Sequence, residues 1–265
     1  MLIPVRDLVT VWGVEPRGVL HVGAHEAEEA DAYAAAGWQP VWWVEMLPDK
    51  CAALSAKFRD DPLNRVLQGA CWDEDGVALD VFRASNGQSS SLLAPHDHLR
   101  DHPDVSFQKT APILTTRLDS LLPATATFDL VNLDLQGAEL RALRGLGRHL
   151  AQVKWAYVEV NTRPLYASCC LVDELDRFMA SAGFRRVVTR MAGPRSGWGD
   201  ALYVNASRVG PIPFPTLAAR RIGQVKWIAL QTLRDRLRAL RHLLRGRMKA
   251  VIGAIVGRSI GSSDG

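Results

Sequence analysis

Four apolar stretches of the chain each run into a residue able to do chemistry. Val19-Leu20-His21-Val22 ends in Gly23-Ala24-His25, with Glu26, Glu28 and Glu29 behind it. Val41-Trp42-Trp43-Val44 ends in Glu45. Leu130-Val131-Asn132-Leu133 ends in Asp134, followed by Leu135-Gln136-Gly137, and Trp155-Ala156-Tyr157-Val158 leads into Glu159. A carboxylate at the end of a buried strand can accept hydrogen bonds from a ribose diol, offset a cation or take up a proton. Gly23 lets the backbone turn tightly beneath a ligand. Asp134 interrupts an apolar strand ahead of a helix-opening Gly137. His21 reads instead as a core histidine, and Trp42-Trp43 as sheet packing.

The loop after the first stretch separates the adenosine cofactors. A dinucleotide needs G-x-G-x-x-G so that the backbone can approach a pyrophosphate. Here the loop holds one glycine and three carboxylates, which repel phosphate. S-adenosyl-L-methionine has no phosphate and brings a sulfonium and an ammonium group, so an acidic pocket suits it. The expected cofactor contacts are Gly23, Ala24, His25, Glu28, Glu45, Met46, Ala70, Cys71 and Asp134. No metal is expected: there is no H-E-x-x-H, and His96, His98 and His102 read as solvated loop residues.

Short strands alternating with helices must position these groups. Strands are predicted at 19–24, 41–45, 65–71, 129–134 and 155–160, with a half-exposed extra strand at 77–82. Helices are predicted at 26–36, closed by Gly37, at 48–58, opened by Pro48, and at 138–149 and 171–182. Residues 85–91 form a polar loop and 95–112 an excursion over the sheet edge. The pairs 184–188 and 201–204 close the sheet as a hairpin. The fold class is α/β: a Rossmann-like, mostly parallel doubly wound sheet with a terminal antiparallel strand, plus a C-terminal basic helical extension.

The 265 residues are 48% hydrophobic and 23% charged, a globular balance that can bury a core. The formal net charge of +4 hides an asymmetry. Residues 217–265 carry eleven Lys and Arg against two Asp, a net of +9 that leaves −5 on residues 1–216. The expected domains are a catalytic body at 1–209, a Pro-rich linker at 210–216 and the basic tail at 217–265. Within 217–256 apolar residues recur at helical spacing between arginines, so the tail is expected to dock on an anionic membrane surface or to self-associate. Nucleic acid is not an expected partner. No signal peptide or spanning segment is read, and the four cysteines are read as reduced thiols. The expectation is a cytoplasmic protein with a peripheral hold on the inner face of the membrane.

Beyond these patterns, several motifs in order resemble the FkbM family of methyltransferases. Val19–Tyr33, with Gly23-Ala24-His25 and Glu28, is similar to its first motif. Asn132-Leu133-Asp134-Leu135-Gln136-Gly137-Ala138-Glu139-Leu140, with Leu143 and Gly145, resembles its D-x-(E/Q)-G-x-E motif. Ser89-Ser90-Ser91-Leu92-Leu93, Thr116-Arg117-Leu118-Asp119-Ser120-Leu121 and Val158-Glu159-Val160 with Tyr166 and Gly183-Phe184 match as well. The resemblance covers roughly residues 17–205. Two positions depart from it: Ala27 stands where a second glycine is frequent, and Gln136 replaces the commoner Glu. The resemblance implies a class I methyltransferase fold and O-methylation of a hydroxyl on a sugar, glycolipid or small natural product. Asp134 is the first candidate for shaping the reacting site, with His25 and Glu159 as alternates for base or substrate contact. Ser89, Ser90, Gln136, Glu139 and Asn161 are the candidate acceptor contacts. The competing expectation is an inactive Rossmann-like binding or scaffold protein.

Overall fold

The computed structural model describes residues 1–193 and 196–209. Its centre is a seven-stranded sheet in the order β3-β2-β1-β7-β8-β10-β9. The first five in that order are parallel: β3 (Asn64–Gln68), β2 (Val41–Glu45), β1 (Val19–Val22), β7 (Leu130–Leu133) and β8 (Trp155–Asn161). β10 (Trp198–Asn205) is antiparallel to both β8 and β9 (Phe184–Met191). The expected closing hairpin is present, with its second strand inserted between the fifth strand and the edge. A small second sheet pairs β4 (Ala70–Cys71) and β5 (Ala78–Ala84) with β6 (Phe107–Thr116).

Parallel strands covered on both faces need continuous apolar runs, and β1, β2, β7 and β8 are buried at every position. Alternate side chains sort to opposite faces. Leu20, Val22, Trp42, Val44, Val131 and Leu133 join one core cluster with residues of α5 (Leu118–Leu121), α6 (Glu139–Gly145) and α7 (Val172–Ser181). On the opposite face Trp43 stacks between Phe58 and Tyr33, with His21 4.9 Å away. Tyr33 comes from α2 (Ala30–Ala35), beside α1 (Val5–Trp12); Phe58 follows α3 (Pro48–Lys57). Two short helices, α4 (Asp97–Asp101) and α8 (Ala206–Val209), complete the described elements.

Several boundaries differ from the sequence reading for local reasons. The helix expected from Glu26 starts at Ala30, because His25 and Ala27 take left-handed φ values of 47° and 53°. Ala27 therefore occupies the conformation for which glycine is the ordinary choice, which accounts for the frequent glycine there. The helix expected over 138–149 breaks at Gly147, with φ 50°, into α6 and a 3-10 turn at Gly147–Gln152. The strand expected over 65–71 is two strands hinged at Gly69. The stretch 95–112 holds α4 and the start of β6, and Val5–Trp12 is a helix where none was read. The linker at 210–216 and the basic tail at 217–265 lie outside the described residues. No helix among the described residues is long and apolar enough to cross a membrane.

Candidate active site

Sheet register decides which reactive groups meet. Val22 lies opposite both Val44 and Leu133, and Leu133 lies opposite Val158. The next row across the four strands is therefore Glu45, Gly23, Asp134 and Glu159. The antiparallel pairing of Glu159 with Asp200 extends it by a fifth member. This row sits at the carboxyl ends of the strands, on both sides of the point where strand order reverses between β1 and β7, the usual ligand position in open α/β sheets.

A cleft opens over the row in two halves that share Gly23, His25, Gln88 and Asp134. The narrow half is bounded by Glu45, Met46, Leu47, Cys71, Leu92 and Leu135, an apolar slot with a carboxylate at one end. The wide half has a volume of about 450 Å³ and is bounded by polar groups, among them His21, Glu29, His98, Glu159 and Asp200. Gly23 has φ 88°, and a Cβ there would lie 1.9 Å from the Asp134 carbonyl oxygen, so nothing larger fits between the two loops.

Each carboxylate of the row is held differently. Glu45 is buried and accepts from the backbone N–H groups of His25 and Leu47, both at 2.9 Å. Burial raises its pKa against those two hydrogen bonds. Asp134 is exposed to the cleft. Glu159 is 4% exposed, and burial followed by the charges of Asp134, Glu139 and Asp200 pushes its pKa well above the carboxylate range. Asp200 accepts from Leu2 N at 2.6 Å and from the Tyr157 hydroxyl, yet burial still lifts its pKa to about 6. The amide of Gln136 donates to Asp134 Oδ1 at 2.7 Å and to Glu159 Oε2 at 2.9 Å.

His25 has the arrangement of a proton acceptor. Its Nδ1 lies 2.7 Å from Glu28 Oε1, while its Nε2 is buried and has no hydrogen-bond partner. Burial raises the pKa of Glu28, but the hydrogen bond from His25, a backbone N–H and the His25 charge together outweigh it and leave the carboxylate below its ordinary range. A carboxylate that holds one imidazole nitrogen leaves the other to exchange a proton with a ligand.

The remaining expected residues lie partly along this cleft and partly behind or beneath it. Ser90 joins the narrow half, whereas Glu28, Ser89 and Gln136 border the wide one. Ala24 is buried, and Ala70 packs with Leu47, Val81 and Leu92 behind the narrow half. Glu139 and Asn161, expected as acceptor contacts, line neither half. Glu139 is buried beneath the cleft, where its Oε1 accepts from Leu135 N at 2.9 Å and Gly137 N at 3.1 Å and so fixes the turn that carries Asp134. Asn161 is buried, with both side-chain polar atoms lacking partners.

Sequence reasoning missed His21, Tyr157 and Asp200. His21, a core histidine by sequence, is buried but also lines the wide half, with its Nδ1 3.2 Å from the Tyr33 hydroxyl. Among the described residues, no group of three or more His, Cys, Asp or Glu is arranged to hold a metal ion.

The sequence profile of the methyltransferase FkbM domain matches residues 21–186. The 2-O-methyltransferase NoeI of Sinorhizobium fredii (strain NBRC 101917 / NGR234) is 29% identical over 174 residues, covering 60% of this chain and 67% of that protein. Among solved structures, methyltransferase FkbM from Methylobacillus flagellatus KT aligns over 71% of this chain and 43% of its own, at 15% identity and a TM-score of 0.44. This chain thus spans less than half the length of that protein. The glycopeptide N-methyltransferase MtfA complexed with S-adenosyl-L-methionine aligns over 77% of this chain and 93% of its own, at 12% identity and a TM-score of 0.42.

Proposed function

Because the chain belongs to the FkbM methyltransferase family, we propose that it transfers a methyl group from S-adenosyl-L-methionine to a hydroxyl oxygen of a sugar, glycolipid or small natural product. The observation that carries this reading is the row Glu45, Gly23, Asp134 and Glu159, with two halves of one cleft meeting at His25 and Asp134.

The cofactor of the family is S-adenosyl-L-methionine, and the residues present fit it. Gly23 leaves room at the loop crossing that no side chain could occupy. The apolar slot takes a flat base, and each oxygen of Glu45 accepts one backbone N–H and keeps a lone pair for a ribose hydroxyl. The unpartnered Nε2 of His25 is a buried polar atom that a ligand would satisfy. When bound, the cofactor supplies an electrophilic methyl group on a positively charged sulfur.

The protein's own contribution is to position the acceptor and to take up its proton. Holding two reactants in line supplies much of the acceleration in such a transfer. His25 Nε2 accepts the hydroxyl proton while Glu28 fixes the ring and offsets the imidazolium charge. The wide half favours oxygen over nitrogen as the nucleophile. Glu28, Glu29, Asp134, Glu159 and Asp200 border it, and carboxylates keep a nearby amine in its ammonium form, which has no lone pair to attack with. A polyol enters without that cost.

The test is incubation with methyl-labelled S-adenosyl-L-methionine and a panel of neutral glycosides and hydroxylated natural products, read by tandem mass spectrometry. The label is expected on a ring or aglycone oxygen. Transfer only to amines, or to nothing in a panel that includes amino sugars, would contradict the reading.

A further inference from the structure

Gln136 stands at the centre of the acidic row, and the contacts it makes are ones a Glu could not make. The amide nitrogen contacts one oxygen of Asp134 and one of Glu159, at 2.7 and 2.9 Å. Its carbonyl oxygen lies 2.7 Å from the Tyr166 hydroxyl, which also lies 3.0 Å from the Ser89 carbonyl. The backbone is pinned as well: Gln136 has φ 52°, and its carbonyl accepts from Ser91 Oγ at 2.9 Å. A carboxylate in that position would face two others with no hydrogen to offer.

We propose that Glu159, tied to Asp134 as a carboxyl pair by the Gln136 amide, keeps its proton while the cleft is empty or holds the neutral thioether product, and releases it when the positively charged cofactor binds. Gln136 is the positioning residue of this pair. The inference rests on the cofactor occupying this cleft and is independent of the acceptor's identity.

Glu159 is buried and shares one amide with the Asp134 carboxylate, so ionising it is costly without a cation nearby. The main charges acting on Glu159 are negative: Asp134, Glu139 from α6 and Asp200 from β10. Tyr166 faces the pair from the other side, and the His21 imidazole and the Met1 amino group lie within electrostatic reach of Asp134. None of these places a fixed positive charge against Glu159. Asp134 borders both halves of the cleft, where the transferable methyl and its sulfonium must lie if it is to pass from one half to the other. Arrival of that charge makes the doubly ionised pair favourable and sends the proton to solvent. Loss of the methyl leaves a neutral sulfur, the proton returns, and the site's preference for a charged occupant ends. The pair thereby tells substrate cofactor from spent cofactor.

The sign follows from linkage. Binding that releases a proton tightens as pH rises, by up to about tenfold per pH unit while the pair is protonated in the unbound protein. Both ligands carry an α-amino group, but the sulfonium lowers the amine pKa of S-adenosyl-L-methionine relative to S-adenosyl-L-homocysteine, so the ratio of their dissociation constants is read below about pH 7, where both amines stay charged. Calorimetry of both ligands with the full chain between about pH 5 and 7 should show homocysteine-form Kd divided by methionine-form Kd rising with pH, by about tenfold or more overall. The rise should persist in His25→Gln, which excludes the imidazole as its source. It should flatten in Glu159→Gln and shrink in Gln136→Met, two variants that do not depend on each other's folding. A ratio constant with pH in wild type, or a rise undiminished in both variants, would overturn the proposal while leaving the cofactor site intact. Failure of wild type to bind S-adenosyl-L-methionine at any pH would instead end both this proposal and the reading of the cleft.

Discussion

Glu45 is the residue whose environment makes the sharpest single-site expectation. It accepts two backbone N–H groups and still has a lone pair on each oxygen for a ribose. Glu45→Gln replaces one accepting oxygen with an NH2 group that opposes a backbone donor. Losing hydrogen bonds to a buried charged group costs about 2–4 kcal/mol. The variant should bind S-adenosyl-L-methionine at least about tenfold more weakly by calorimetry, and unchanged affinity would remove Glu45 from the site. At this scale much of the row was legible, because Glu45, Asp134 and Glu159 each end or interrupt an apolar run and Gly23 breaks one. Asp200 was not legible, since its place in the row exists only through the antiparallel pairing of β10 with β8. Glu139 was assigned to the acceptor for the opposite reason: a motif position reveals a residue type but not which way it faces, and this carboxylate turns inward to the N–H groups of its own turn.

The elements carry the row by close approach of backbones, and Gly23 is where that approach is tightest. Gly23→Ala would place a methyl 1.9 Å from the Asp134 carbonyl in a left-handed conformation. The combined strain and overpacking should cost about 3 kcal/mol or more, a fall in Tm of roughly 6–12 °C for a body of this size, and should abolish cofactor binding. A variant melting with wild type and binding normally would show that the β1 and β7 loops do not cross as described. Strand existence was readable from composition, whereas helix starts were not. The loop after β1 runs on to Ala30 because His25 and Ala27 take left-handed turns that no periodicity announces. β6 escaped notice because its exposed face breaks the alternation that marks a strand.

Buried carboxyl groups also leave a signature in the stability of the whole molecule. Asp200 has its pKa lifted by burial to about 6 from an ordinary 3.8. A raised carboxyl pKa means that the unfolded chain releases its proton first, so this group's contribution to stability falls as pH climbs from about 4 to about 6 and is level above. The difference amounts to about 3 kcal/mol at most. In Asp200→Asn, whose carbonyl can still accept from Tyr157, that fall should vanish, so the variant gains on wild type between pH 4 and 7 in urea melts. Parallel stability curves would contradict the assignment. The basic segment 217–256 lies outside the described residues and is proposed from its sequence pattern alone to dock on anionic membrane. Full-length protein should cosediment with anionic liposomes at low salt and less so at high salt, while a 1–209 truncation should not. Loss of a dimer on truncation, without lipid binding, would make it a self-association element instead. The two halves of the cleft meet at Asp134, a residue exposed to the cleft rather than buried in support of the fold. The most direct measurement compares single-turnover methyl transfer in wild type and Asp134→Asn, with cofactor affinity and Tm taken on the same samples. Transfer in Asp134→Asn should be slowed by about 100-fold or more, with affinity lowered less than about tenfold and a Tm within about 2 °C of wild type. Transfer at the wild-type rate, or a variant that loses activity only because it unfolds, would contradict that expectation.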